Sequence, residues 1–435
     1  MQKETTPNQP LLNNQWVTSF PFFYGWISLI AGAVAIVMTS PGQTYVVSVL
    51  IEPMIAELGI SRSLVSILYA IGTIVGGLAL PTLGRLIDRY GTRTVATCVA
   101  VIAGFSCIYM NWVQNVVMLT IGFILLRLFA HGGLTLSSQN VINQWWIERR
   151  GTVMGISGMM FGLIGFGVFP NIVHQLVEWQ GWRWAYIWQG IAFFVIMLPV
   201  ALLLFRSKPE DYGLEPDGGL KQVAGRQVAS ESDEANSSQL VEENWTMPEA
   251  TRTPAFWAVS LGVAISGMLI TGLLFHIVGI FADIGLSAQT AAFVFVPISI
   301  AMAVVNLGSG ILVDRIPARL LLSTSLFLLT VAMLIVQSLT GATAAMLYGI
   351  GLGISIGMNV VVQGVIWANY FGREHMGSIT GVATTILFIS NAIGPVPLGI
   401  AKDALGSYNL ALVLLAILPF VLGVANLFFK KPVKK

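Results

Sequence analysis

The sequence predicts an all-α membrane protein with twelve transmembrane helices in two pseudo-symmetric six-helix halves. Three observations lead there: an apolar composition, twelve long apolar segments, and a repeat that relates the two halves of the chain. Of 435 residues, 55% are apolar and 10% are charged, against about 45–50% and about 25% in soluble proteins. So little charge cannot cover the surface of a soluble enzyme of this size. Such an apolar chain is equally unlike a disordered one. Lys and Arg number 22 and Asp and Glu 20, so no charge excess invites a nucleic acid.

The elements follow in chain order. Residues 1–21 form a polar N-terminal tail without the basic start and short apolar core of a signal peptide. A bilayer core about 30 Å thick takes about 20 apolar residues per helix. Segments of that kind lie near 22–50, 61–83, 94–111, 116–145, 152–177 and 184–205, the N-terminal half (22–206). Six more lie near 254–282, 287–312, 319–339, 342–369, 376–401 and 407–429, the C-terminal half (253–429). Pro41-Gly42 interrupts the first, and the freed backbone groups there need partners from neighbours or a wet cavity. Between the halves, 207–252 holds ten acidic and four basic residues; this composition reads as a solvated cytoplasmic linker. Residues 430–435 form a basic tail. Cys98 and Cys107 read as small buried apolar residues, being too far apart along one helix for a disulfide.

Basic residues set the orientation, because they concentrate on the cytoplasmic side. Leaving out Arg206 and the four basic residues of the linker, thirteen fall on the side of the termini and three, Arg62, Arg183 and Lys402, on the other. Both termini are expected to be cytoplasmic, in the plasma membrane or a bacterial cell inner membrane.

The two halves repeat at an offset of 226 residues. Gly59 and Ser61 match Gly285 and Ser287. Gly84, Asp88, Arg89 and Arg93 match Gly310, Asp314, Arg315 and Arg319, and Asn143, Gly151 and Gly155 match Asn369, Gly377 and Gly381. A parallel repeat of six spans is the build of transporters that alternate access around a midplane site.

Gly84 to Arg93, repeated at Gly310 to Arg319, resembles the signature loop of the major facilitator superfamily. The resemblance implies that the carboxylate and arginines of each copy (Gly84, Asp88, Arg89, Arg93; Gly310, Asp314, Arg315, Arg319) latch helix ends and act as gating residues. Phe23-Tyr24-Gly25-Trp26 and Trp145-Trp146-Ile147-Glu148-Arg149-Arg150-Gly151 further resemble the branch of monocarboxylate porters and oxalate:formate antiporters. That branch commonly carries an arginine in span eight, where this chain offers Asn306, and its oxalate-type members a lysine in span eleven, which has no base here.

A charge in lipid costs about 2.5–3.5 kcal/mol on the insertion scale, and Arg127, midway along span four, is the permanent charge so placed. His131 and Thr135 follow on the same helical face. Two roles compete for Arg127: an anchor for a substrate carboxylate through its fork of donors, or, as the resemblance implies, the family's span-four arginine, which couples ion and conformational movements or ties to backbone carbonyls. His131 and His276 could carry a proton. Gln43 and Tyr45 after the Pro-Gly break, Asn306, Asn359, Gln363 and Asn391 complete the candidate substrate-binding set; each could instead bridge helices by hydrogen bonds.

The expected function is secondary transport of a small organic solute, a monocarboxylate-like anion first, by proton symport or solute antiport. The alternatives are an exporter of neutral or amphipathic compounds and a non-transporting receptor or regulator. The expected partners are the solute, protons as a coupling ion and the lipid bilayer. No cofactor, metal or enzymatic activity is expected, and the chain reads as a monomer.

Overall fold

The computed structural model describes residues 17, 20–146, 149–206, 208–219, 245–372, 376–432 and 434. Among these, eleven helical stretches are long and apolar enough to cross a membrane. One of them, Thr152–Leu204, has 53 residues, about 80 Å if straight, far more than a bilayer core needs. Gly181 (φ +83°) breaks it, and beyond the break Trp188 comes back to donate its indole N–H to Gln180 (2.8 Å). That stretch therefore crosses twice, and among the described residues the passes number twelve.

In chain order, α1 is Gly25–Leu58, α2 Arg62–Tyr90, α3 Thr92–Met110, α4 Val116–Trp145, α5 152–180 and α6 182–204. In the second half, α7 is Pro254–Phe275 continued by Ile277–Asp283, and α8 runs over 288–315. It is followed by α9 (Ala318–Ser338), α10 (Gly341–Phe371), α11 (376–405) and α12 (Asn409–Phe428).

The repeat in the sequence is a repeat of local geometry. Gly59 and Gly285 both take left-handed backbone (φ +64° and +79°), which costs a glycine little. Two residues on, Ser61 accepts the N–H of Leu64 (3.2 Å) and Ser287 that of Thr290 (3.1 Å). Each serine caps the helix it starts, worth about 0.5–2 kcal/mol. The same glycine turn and serine cap thus open α2 and α8.

The halves meet through α2 against α11, α5 against α8, and α1 against α7. Because each half has an even number of passes, both chain ends and the connector emerge at one end of the bundle, the tail end; the other is the far end. A Cβ added at Gly399, toward the far end of α11, would come within 2.7 Å of Ser66 on α2. One added at Gly167 of α5 would strike Ser299 of α8. Toward the tail end of the same helices, Gly77, Gly155, Gly158 and Gly381 have nothing within 4 Å. The halves press together at the far end and part toward the tail end. Outward faces are apolar and bare, as at Leu78 (77% exposed) and Val195 (68%), which suits lipid contact.

The connector expected at 207–252 is described only at its two flanks. Residues 220–244 lie outside the described residues, but both flanking pieces dock. Tyr212 stacks at 6.5 Å on Trp145, and Asp217 accepts the backbone N–H of Arg149. Across the bundle, Trp245 donates its backbone N–H to Phe371 (2.9 Å). A capping box of Thr246 and Glu249 then starts the short helix Met247–Thr251. Glu249 also pairs with Lys434 at 3.1 Å. The Thr246 N–H, with Lys434, pulls the Glu249 carboxyl down to about 2.

Candidate functional site around Arg127

The break in α1 builds the site. Ser40–Gly42 forms one tight 3-10 turn, after which Gln43 is extended and the helix restarts at Thr44. The break leaves the Gly42 carbonyl without a helical partner, and Arg127 of α4 donates to it from Nη1 (2.9 Å). The same Nη1 lies 3.1 Å from the Tyr69 hydroxyl, which bonds in turn to Thr44 (2.8 Å). The guanidinium also stands 5.2 Å from the Tyr69 ring centroid, a cation–π distance. Glycine is required at position 42: a Cβ there would meet the Leu126 carbonyl at 2.6 Å. Around Arg127 itself α4 is wound as a π-helix, Leu126–Gly133, a local widening frequent at functional sites.

Part of the Arg127 fork is free. Its Nε is buried with no hydrogen-bond partner. Among the described residues its ion pairs with carboxylates number none. One turn on, His131 packs its backbone and Cβ on Gly42, and its Nδ1 is buried without a partner. A half-buried cation and an unpaired imidazole nitrogen beside a helix break can receive an anion and a proton.

The other expected site residues divide. Gln43 stays local, donating to Thr39 (3.2 Å). Tyr45 is buried beside Ser40 (3.1 Å) and sits in an aromatic group with Phe161, Phe166 and Phe295. Phe295 belongs to the other half, so this group closes the far end rather than lining an open site. Asn359 and Gln363 bond to each other across one turn of α10 (2.5 Å), with Asn359 Nδ2 buried and unpaired. Asn391 pushes its Oδ1 against Gly267 of α7 and has no partner there. Asn306 is exposed on α8.

His276 is placed differently from the cavity-lining position expected of span seven. It sits at the kink between the two parts of α7, 2% exposed. Its Nε2 lies 2.9 Å from the Pro395 carbonyl and 3.3 Å from Ser66, and its Nδ1 3.3 Å from the Tyr408 hydroxyl. These partners come from α11, α2 and the turn before α12, so His276 ties the far end shut. Position along a helix gives depth but not what the kink turns the ring toward.

The far-end closure also contains charged residues near the span ends. Arg62 forms a two-pronged pair with Glu52, and Gly279 of α7 seats directly on it. A Cβ at 279 would come to 2.7 Å from the Tyr408 hydroxyl and 3.0 Å from both Arg62 Nη1 and Glu52. Asp403 of α11 accepts the backbone N–H groups of Arg62 and Ser63 (3.3 and 2.7 Å) at the start of α2. A carboxylate at a helix N-terminus is stabilising by about 0.3–1 kcal/mol, and this one crosses between the halves. Tyr69 against Phe275 (4.8 Å) adds an aromatic contact across the same seam. Their signal was faint: single polar or aromatic residues in apolar helices look alike in sequence.

The signature-loop residues sit at the tail end. Arg89 lies 5.2 Å over the Tyr90 ring, and Arg93 is exposed. Arg319 has a buried Nη1 without a partner. The side chains of Asp88, Asp314 and Arg315 lie outside the described residues, as does the packing of Gly310, and Gly84 meets no neighbour within 4 Å. The two aromatic motifs, 121 residues apart at their bonded positions, meet in space. Trp146 donates its indole N–H to the Gly25 carbonyl (3.0 Å), with Phe23 and Trp26 rings at 5.2 and 4.8 Å. Among the described residues no group of three or more His, Cys, Asp or Glu side chains could hold a metal.

The sequence profile of the Major Facilitator Superfamily matches residues 15–395. The chain belongs to the major facilitator superfamily. Membership makes it an integral, multi-pass membrane protein of a transporter family rather than an enzyme, and transporters of this superfamily bind small solutes. An uncharacterized MFS-type transporter of Escherichia coli, YhjX, is 26% identical over 67% of the chain and 66% of its own length. The oxalate:formate antiporter of Oxalobacter formigenes is 24% identical over 59% of the chain and 53% of its own. The glucose transporter GlcP of Staphylococcus epidermidis is 22% identical over 78% of each. The chain thus spans less than two thirds of the length of the first two relatives. A crystal structure of a bacterial homolog of the human lysosomal transporter Spinster, inward-facing and occupied, shares the fold. It has a TM-score of 0.68 at 15% identity, over 93% of this chain and 96% of that one.

Proposed function

We propose that the protein is a secondary transporter of a small organic anion of the monocarboxylate class, working by alternating access with Arg127 as the anion's anchor. The observation that carries this reading is the half-used Arg127 fork: one Nη bonds the broken α1, Nε is bonded to nothing, and among the described residues no carboxylate pairs with the charge. An oxalate:formate antiporter among the relatives supports the substrate class. His131, one turn away with an unpaired Nδ1, is the proposed proton carrier. The distribution of basic residues favours a cytoplasmic tail end, on which reading the arrangement described here is the inward-open one.

Proteoliposome uptake tests the reading with labelled monocarboxylates, dicarboxylates, glucose and a neutral dye, each with and without a pH gradient. Carboxylate uptake that loses about tenfold or more in apparent affinity in Arg127→Gln supports it, since a charge-assisted bond is worth about 1.5–3 kcal/mol. Unchanged carboxylate kinetics in that variant would remove the anchor. The glucose transporter among the relatives gives a neutral solute the second place, and glucose uptake with no carboxylate response would favour it. Absence of flux for every solute would favour a receptor or regulator. His131→Asn should lose the response to the pH gradient while keeping carboxylate exchange.

A further inference from the structure

The repeat sets two corners of the tail end side by side, and they are finished differently. In the N-terminal half, Arg93 and Asn143 mark the corner, and the chain leaving α6 folds over it. That piece, 210–219, brings Glu210, Asp211, Glu215 and Asp217; the last is 7% exposed and accepts the Arg149 N–H. Arg93 lies within electrostatic reach of Tyr212 there. The matching corner of the C-terminal half, marked by Arg319 and Asn369, is a cavity of about 300 Å³ whose lining includes Arg319, Asn369, Tyr370, Lys430 and Lys431. Its described walls carry three cations and no carboxylate.

Three features of this cavity ask for an anion. Arg319 Nη1 is buried and bonded to nothing. No side chain caps the start of α9, so its positive end opens at the same place. Neither Lys430 nor Lys431 forms an ion pair among the described residues. The surface beside it is apolar and bare: Phe428 is 76% exposed and Leu320 38%. A group with a phosphate head and hydrocarbon tails fits both surfaces, whereas a free phosphate would use only the first.

We infer that this corner binds the headgroup of an anionic phospholipid, its phosphate held by Arg319, Lys430 and Lys431 and its chains lying against Leu320 and Phe428. The N-terminal corner supplies that negative charge from the chain itself; the C-terminal corner takes it from the membrane. A basic pocket at the membrane surface attracts anionic lipid, and each lysine in it adds to that attraction.

The test uses the full-length, delipidated protein in neutral detergent, with bound lipid counted by native mass spectrometry. Phosphatidylglycerol, phosphatidylcholine and inorganic phosphate are titrated separately. Phosphatidylglycerol should bind about tenfold more tightly than phosphatidylcholine, and the exposed pair change K430Q/K431Q should remove about tenfold of that affinity. The equal charge change K208Q/R252Q, at the same end but outside the cavity, should leave it within twofold. Equal binding of the two lipids would overturn the proposal, as would full retention in K430Q/K431Q or an equal loss in K208Q/R252Q. Inorganic phosphate displacing phosphatidylglycerol at equal concentration would assign the cavity to the free anion instead.

Discussion

The two ends of the bundle solve opposite problems with the same helices. At the far end, α2, α7 and α11 are joined by named polar contacts: His276 to Pro395 and Ser66, Asp403 to the start of α2, and Gly279 on the Arg62–Glu52 pair. Rings of Tyr45, Phe166 and Phe295 fill the seam behind them. At the tail end, glycines on the facing helices meet open space, and bases such as Arg93 are exposed. Closure at the far end therefore needs specific geometry, and opening at the tail end needs only its absence. Such a seam can be undone by a single side chain.

The largest effect is expected from Gly279→Val. Its added atoms must displace the Tyr408 hydroxyl, Arg62 and Glu52, all within 3.0 Å of the new Cβ, so the far end cannot close. Transport should be lost while the protein stays folded and elutes as wild type does, and labelling of a cysteine introduced at the far end should rise. A smaller effect belongs to Asp403→Asn, which keeps the shape and removes the charge that α2's N-terminus favours. The balance between the two ends should shift by about 0.3–1 kcal/mol, a few-fold change in far-end labelling rate. No change in that rate would mean that the carboxylate is solvated decoration.

The smallest effect concerns the docked end of the connector. Glu249 is held near 2 against an ordinary 4.5, so its ionised form is the one the docked state favours. Its contribution is whole above pH 4.5 and drains away as pH falls toward 2. Glu249→Gln should abolish that acid sensitivity of the Trp245 environment, read by fluorescence, and leave transport unchanged.

The sequence carried the architecture because its signals were periodic or repeated. Twelve apolar segments and the 226-residue offset leave little choice of fold, and Gly59 and Gly285 do in space what their repetition implied. Arg127 was legible because an isolated charge in lipid must have a use. His276 was misplaced because the kink at residue 276, which turns the ring toward α11, has no sequence mark. Tyr69, Phe166 and Phe295 were invisible for another reason: an aromatic residue in an apolar helix packs anywhere. The docked connector could have been found, since Thr246 followed three residues later by Glu249 is a helix-start signature. The acidic composition around it concealed that signal.

One crosslink tests the whole account. Ser66 and Gly399 face each other across the far-end seam, a Cβ at 399 lying 2.7 Å from Ser66 Oγ. That is close to the ~3 Å between a Cβ and the opposite sulfur of a disulfide. In a chain with Cys98 and Cys107 replaced by Ser, S66C/G399C should form the bond on oxidation and hold the far end shut. Uptake should then stop and return on reduction; full uptake by the oxidised protein would contradict a far end that must open for transport.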